Sequence, residues 1–329
     1  MNSLGRIFRV SLAGESHGPA IGLIIDGCPP GIPLVAGEFA TDLDRRRGGR
    51  AGTTARREAD VPEIMSGVLN GCTTGAPILV LIRNADAQSA AYQELAHTPR
   101  PGHADWTAWH KYRGFNDPRG GGHLSGRLTV ALVVAGVVAK KLIAPTQVNA
   151  RIVEIGGSPE FEALVDGARA DGDSLGGIVE CRASRVRPGL GEPFFDSLES
   201  LISHAVFAVP AVMGVEFGVG FAAARMRGSE LNDAILDRSG RTATNHAGGI
   251  NGGISNGNDV VFRVAVKPTP SISKPQRTVD LRTGAPAEIR IGGRHDACIA
   301  LRVPVVIEAV TAIVLADAMR LADDRRDSS

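Results

Sequence analysis

Between Pro99 and Thr129 the chain gathers more chemically useful side chains than a connector calls for. Three histidines (His103, His110, His123), two aspartates (Asp105, Asp117) and four arginines (Arg100, Arg113, Arg119, Arg127) fall in it. Gly120, Gly121 and Gly122 read as running straight into a helix. Glycines let backbone N–H groups approach a ligand without Cβ interference, and a helix N-terminus adds partial positive charge, so the pattern suits a phosphate. Three other turns share the style, glycine-flanked and bearing an ionisable group: Gly14–Gly18 with His17, Arg100–Asp105 with His103, and Gly293–Asp296 with Arg294 and Asp296. A single loop histidine is more often structural than catalytic, yet imidazole is the side chain best suited to moving protons near neutral pH. Zinc is the weaker reading, because no His or Cys pair stands at ligand spacing.

A basic run adds to this. Arg45, Arg46, Arg47, Arg50, Arg56 and Arg57 place six arginines within thirteen residues, more than capping a helix C-terminus requires. The run reads as a mobile basic loop able to close on a phosphorylated ligand.

The elements that must position these turns follow from pattern. Strands are expected over 7–12, 21–26, 76–82, 151–155, 177–185, 213–217, 259–267 and 288–291, and helices over 36–47, 128–143, 196–209 and 303–321. A second glycine-rich zone, Asn245–Gly253, leads into the 259–267 strand. Helices and strands mix without regular βαβ alternation, and neither a dinucleotide-binding GxGxxG nor a Walker GxxxxGK[ST] is present, which disfavours a conventional nucleotide fold. With no repeat and no linker, residues 1–329 read as one domain.

Composition narrows the classes. The 329 residues are 43% hydrophobic and 22% charged, with only 4% aromatics, so the core must be mainly aliphatic. A net charge of +1 gives no global attraction to nucleic acid or membrane, and the few aromatics do not interleave with basic residues. Four scattered cysteines without a CxxC pair read as reduced thiols in a cytoplasmic protein. The first residues hold no apolar run of signal-peptide length. The two most apolar windows, 128–144 and 303–316, fall short of the ~20 residues of a membrane span, and Glu308 interrupts the second.

Seven segments, in order, resemble the chorismate synthase family: Gly14-Glu15-Ser16-His17-Gly18, Asp44-Arg45-Arg46-Arg47, Arg100-Pro101-Gly102-His103-Ala104-Asp105, Gly228-Ser229, Asn245-His246-Ala247-Gly248-Gly249, Lys267-Pro268-Thr269 and Gly293-Arg294-His295-Asp296. They span nearly the whole chain, and seven collinear matches are very specific. The resemblance implies an α+β fold with helices sandwiched between antiparallel sheets, assembled as a homotetramer. It implies a lyase that converts 5-enolpyruvylshikimate 3-phosphate to chorismate and phosphate by 1,4-anti elimination, without net redox. Reduced FMN is the implied cofactor, lending an electron transiently to the breaking C–O bond, with NADPH as a reductant.

Roles carry over the same way. His17 is the expected general acid for the departing phosphate, His103 the group that protonates or hydrogen-bonds the flavin, and Asp296 the aid to ring-proton removal. Flavin contacts fall on His123, Leu124, Ser125, Pro210, Ala211, Gly252, Lys267, Pro268, Thr269, Pro270, Ser271 and Arg294. Substrate or NADP contacts fall on Ser16, Arg46, Arg50, Arg100 and Arg127. No metal is implied. The usual family pattern RSSARET is here His123-Leu124-Ser125-Gly126-Arg127-Leu128-Thr129. Ala297 replaces a usual proline and Pro270 a usual serine. The competing reading is a binding protein that keeps the flavin- or phosphate-holding loops without the chemistry. Retention of His17, His103 and Asp296 argues against it, since binding alone needs no pair of proton-transfer histidines.

Overall fold

Alternation of buried and exposed positions builds two antiparallel sheets. A computed structural model describes residues 2–49, 51–56, 58–86, 96–292 and 295–327, with no side chain described beyond residue 325. In the first sheet the strands run in the order Ser3–Leu4, Arg9–Gly14, Ala20–Asp26, Ile78–Arg83, Pro62–Ile64. Ile21, Leu23 and Ile25 pair directly with Ile82, Val80 and Ile78, and all six are buried, giving one apolar face. The second sheet runs Val212–Phe217, Val260–Val266, Gly177–Ser184, Gln147–Ile155. There Val260, Phe262 and Val264 face Ala183, Cys181 and Val179, again all buried.

Two apolar helices fill the space between these faces. Thr129–Leu142 packs against the Ala20–Asp26 strand, and Pro304–Asp327 packs against Gln147–Ile155 and Gly177–Ser184. The helices also pack on each other, and Gly136 permits it: a Cβ there would lie 2.6 Å from the Ala309 Cα. Glu308, 2% exposed near the start of the second helix, is satisfied on all sides. Arg45 donates to both its oxygens at 2.6 and 2.7 Å, Lys140 donates at 3.0 Å and the Ala150 N–H at 2.9 Å. The fold is therefore α+β, with helices held between antiparallel sheets, and its buried side chains form one continuous core.

The predicted elements recur with shifted ends, and three differ. The 288–291 strand is Pro286–Ile289, half of a hairpin with Gln276–Val279. The Pro99–Thr129 stretch contains an unforeseen helix, Asp105–Tyr112, closed by Arg113 in the left-handed region. The glycine triplet does not run straight into a helix. Two 3-10 turns, Arg119–Leu124 and Gly126–Leu128, come before Thr129, and Gly120, Gly121 and Gly122 sit at φ +59°, +82° and +53°. No helix among the described residues is long and apolar enough to cross a membrane.

Candidate active site

The loops at one end of the sandwich enclose a cavity of about 670 Å³. Among the described residues, seven Arg or Lys side chains line it against three carboxylates, so it favours a polyanion. Its other wall is apolar, including Leu132, Val209, Ile299, Val303 and Val306.

The cationic floor is a buried triad. Arg46 closes the short helix Ala40–Arg46, and Arg127 sits in the turn before Thr129. Both pair with Asp60, and the three side chains are 3%, 4% and 1% exposed. Arg46 also donates to Thr129 Oγ1 at 3.0 Å and to the Gly126 and Arg127 carbonyls at 3.2 and 3.0 Å. Arg127 donates to Asn84 Oδ1 at 2.9 Å. Burial, with Arg302 and Arg127 nearby, pulls the Arg46 pKa down to about 9 against the pull of Asp60, leaving it charged at neutral pH.

The arginine-rich run is tied down where it is described. Arg45 holds Glu308, Arg47 pairs with Asp44 and the Ala59 carbonyl, and Arg56 pairs with Glu58 at 2.6 Å. Arg50 and Arg57, like Arg294, lie outside the described residues.

His103 occupies the far wall. Its Nδ1 stands 2.7 Å from Asp105 Oδ1 and 3.1 Å from Arg100 Nη2. A guanidinium only donates and a carboxylate only accepts, so the shorter contact assigns the proton to Nδ1 and leaves Nε2 as the reactive nitrogen. Asp105 is fixed in turn by Arg100, through Nε at 2.7 Å, Nη2 at 2.8 Å and the backbone N–H at 3.0 Å. Burial raises the Asp105 pKa, but these bonds and His103 outweigh it and hold the carboxyl well below the usual range. Arg100 also reaches Ser271 Oγ at 3.2 Å.

His17 lies behind the lining, half-buried. A Cβ at Gly120, which does line the cavity, would fall 2.7 Å from the His17 ring and 2.9 Å from Ser16 Oγ. Ser16 accepts from Arg56, at 3.1 Å on Oγ and 3.2 Å on its carbonyl. Burial, then the charges of Arg56 and Arg119, lower the His17 pKa despite Asp117 and Glu58. Asp296 faces the cavity, accepting from the Thr54 N–H at 2.9 Å and from Arg302 at 3.2 Å. Beside it, burial lowers the pKa of His295.

Of the expected flavin contacts, His123, Leu124, Ser125, Pro210, Ala211, Lys267, Thr269, Pro270 and Ser271 line the same cavity. His123 is braced by Gly14 O at 2.8 Å and Asn2 Oδ1 at 3.1 Å. Lys267 reaches the Gly102 carbonyl at 2.7 Å. Ala211 holds φ +76°, which a residue with a Cβ rarely adopts. Pro268 and Gly252 are exposed and outside the lining; the Gly252 hairpin abuts the N-terminus of the Leu198–Phe207 helix, whereas His204 and Ala205 near its other end reach the cavity. Arg56, Glu58, Asp60, Asp105, His295 and Arg302 belong to the site or its support and went unassigned in sequence. Arg56 carried a signal as part of the basic run, and Asp105 and His295 as members of family-matching segments, whereas Glu58, Asp60 and Arg302 carried none.

A family model described as chorismate synthase matches residues 8–320. The chain belongs to the chorismate synthase family. It is 59% identical over 322 residues to the chorismate synthase of Chitinophaga pinensis, covering 98% of this chain and 97% of that one. It is 48% identical to that of Thermococcus gammatolerans, covering 95% and 96%. A crystal structure of chorismate synthase superposes with a TM-score of 0.74 at 29% identity, over 97% of this chain and 93% of the other. The chain is thus a lyase that converts 5-enolpyruvylshikimate 3-phosphate to chorismate in the shikimate pathway of aromatic amino acid biosynthesis.

Proposed function

We propose that the 670 Å³ cavity holds reduced FMN against the substrate, and that His17, His103 and Asp296 handle the protons of the elimination. The observation that carries this reading is convergence. His103, Asp296 and the Gly120–Ser16 corner in front of His17 border one cavity with an excess of cationic side chains. Its residues also fit a flavin. An aliphatic wall suits a planar ring system, and Thr269, in the lining, has a buried hydroxyl with no partner among the described residues. Reduced FMN supplies the transient electron that lets the C–O bond to phosphate break.

The protein's part is to bind, orient and move protons. Arg46 and Arg127 act as fixed charges beneath the substrate anions, because their N–H groups are largely committed to protein acceptors. Arg100 plays two parts, cation and brace for Asp105. With Nδ1 held by Asp105, His103 presents Nε2 to the flavin as donor or acceptor according to its protonation. His17 rests neutral in its buried, cation-flanked corner. An arriving phosphate dianion reverses that field and favours the imidazolium that then protonates the leaving group. Asp296, oriented by Thr54 and Arg302, assists removal of the ring proton. Ser16 sits at the substrate edge, and Arg50 and Arg294 complete the set by family position. Gly252 and Pro268, exposed and outside this lining, are assigned to the flavin by family position alone, and the family assembly is a homotetramer. Phe194, Phe195 and Phe221, each more than 80% exposed, support such an assembly. We read residues 1–329 as a single catalytic domain of a cytoplasmic enzyme, with NADPH as a reductant for the flavin.

The test is phosphate release from 5-enolpyruvylshikimate 3-phosphate with and without chemically reduced FMN. Release only with the reduced flavin is expected; flavin binding without release would reduce the chain to a binding protein. His103→Ala should lower turnover at least ~10²-fold while flavin still binds.

A further inference from the structure

A second cavity, about 500 Å³, shares no lining residue with the first. It lies between the end of the Thr129–Leu142 helix, the turn at Pro29–Ile32, the segment after the Gly177–Ser184 strand, and the late turns of Pro304–Asp327. Lys141, Arg185, Arg187 and Arg320 line it against one carboxylate, Asp323. Lys141 is held by Glu38 at 2.5 Å and Arg187 by Asp323 at 2.6 Å. Arg185 and Arg320 have no ion-pair partner among the described residues. The Arg320 Nε is shut off from solvent with no acceptor among the described residues, which is costly for a charged donor. Arg185 holds φ +58°, its carbonyl accepting from Thr146 Oγ1 at 2.9 Å.

A cation in the last turn of a helix is ordinary, and Lys141 fits that description. It does not cover the others. Arg185 and Arg187 are in a loop, and Arg320 lies well before the end of its helix. Three guanidinium groups around one concavity, one of them with a buried unmet donor, match the geometry that recognises phosphate oxygens. We propose that this cavity is a second anion site, taking a small phosphate monoester. Arg320 and Arg185 grip the phosphate, and the roughly 500 Å³ leaves room for an organic group of sugar size.

The test is calorimetric titration of the full chain with glucose 6-phosphate and, separately, inorganic phosphate, at constant ionic strength set with chloride. Because the active site can also take phosphate, the readout is the difference between wild type and variants. Arg320→Met and Arg185→Ser should each weaken one binding event about tenfold or more, the scale of a charged hydrogen bond, with turnover unchanged. Asp323→Asn, which frees Arg187, should tighten the same event, a gain that misfolding cannot imitate. Identical isotherms in all four proteins, or equal displacement by chloride, would overturn the proposal. The comparison needs no turnover, so it stands or falls apart from the catalytic reading.

Discussion

Among the described residues Asp60 is the sole carboxylate paired with the two buried guanidinium groups of Arg46 and Arg127, and Asp60→Asn removes that charge while keeping the shape. Asparagine also tolerates the left-handed backbone of this residue, φ +48°, so the change isolates electrostatics from strain. With every member of the triad at most 4% exposed, solvent cannot replace the lost charge. Breaking a buried ion pair by removing one partner costs about 3–5 kcal/mol. Arg46 keeps Thr129 and two carbonyls and Arg127 keeps Asn84, so the lower end, about 3 kcal/mol, is expected. For a chain of this size, with an unfolding entropy of about 0.7 kcal/mol/K, that is a fall in Tm of about 4 °C. Scanning calorimetry should show it, and inorganic phosphate should stabilise the variant more than wild type by returning an anion to the cavity. A loss below about 1 kcal/mol, or equal stabilisation of both proteins, would refute the triad as a charge-balanced unit.

Gly120→Ala should leave circular dichroism unchanged yet lower turnover more than about tenfold, since its Cβ would displace the His17 ring from 2.7 Å and the backbone sits at φ +59°. Arg56→Met removes a cation that depresses His17 and leaves Glu58 unpaired, so the His17 titration followed by NMR should move upward; an unmoved midpoint would separate the two residues. At Glu308, burial raises the pKa, but Arg45, Lys140 and the Ala150 N–H overcome it and the folded value is lowered. Its stabilisation is therefore complete above the ordinary glutamate pKa and is lost as pH falls through the lower folded value. Glu308→Gln should flatten stability against pH in that acid range, measured by urea unfolding, and an unchanged slope would remove Glu308 from acid sensitivity.

Much of this architecture is legible in sequence because burial imposes period. Ile21, Leu23 and Ile25 announce a half-buried strand, and the run from Val130 to Ala139, without one polar side chain, announces a helix covered on all sides. The Asp105–Tyr112 helix escaped because its single buried residue, Ala108, leaves no apolar stripe. At the site, histidines and glycines stand out by type. Asp60 does not, since an acid in a charged run looks like solvated surface until the fold places arginines around it. Arg46 shows the converse. The sequence offers it as one of several mobile cations, whereas the structure spends its N–H groups on Thr129, Asp60 and two carbonyls.

The Pro304–Asp327 helix, wedged between the two layers, comes after every strand of both sheets in chain order. During synthesis the Thr129–Leu142 helix can cover the first sheet early, but the inner face of the second sheet must wait, oily and uncovered, for a centrepiece that leaves the ribosome after it. Such an order of assembly exposes the growing chain to self-association and makes the closing helix the natural place for a holding chaperone to yield.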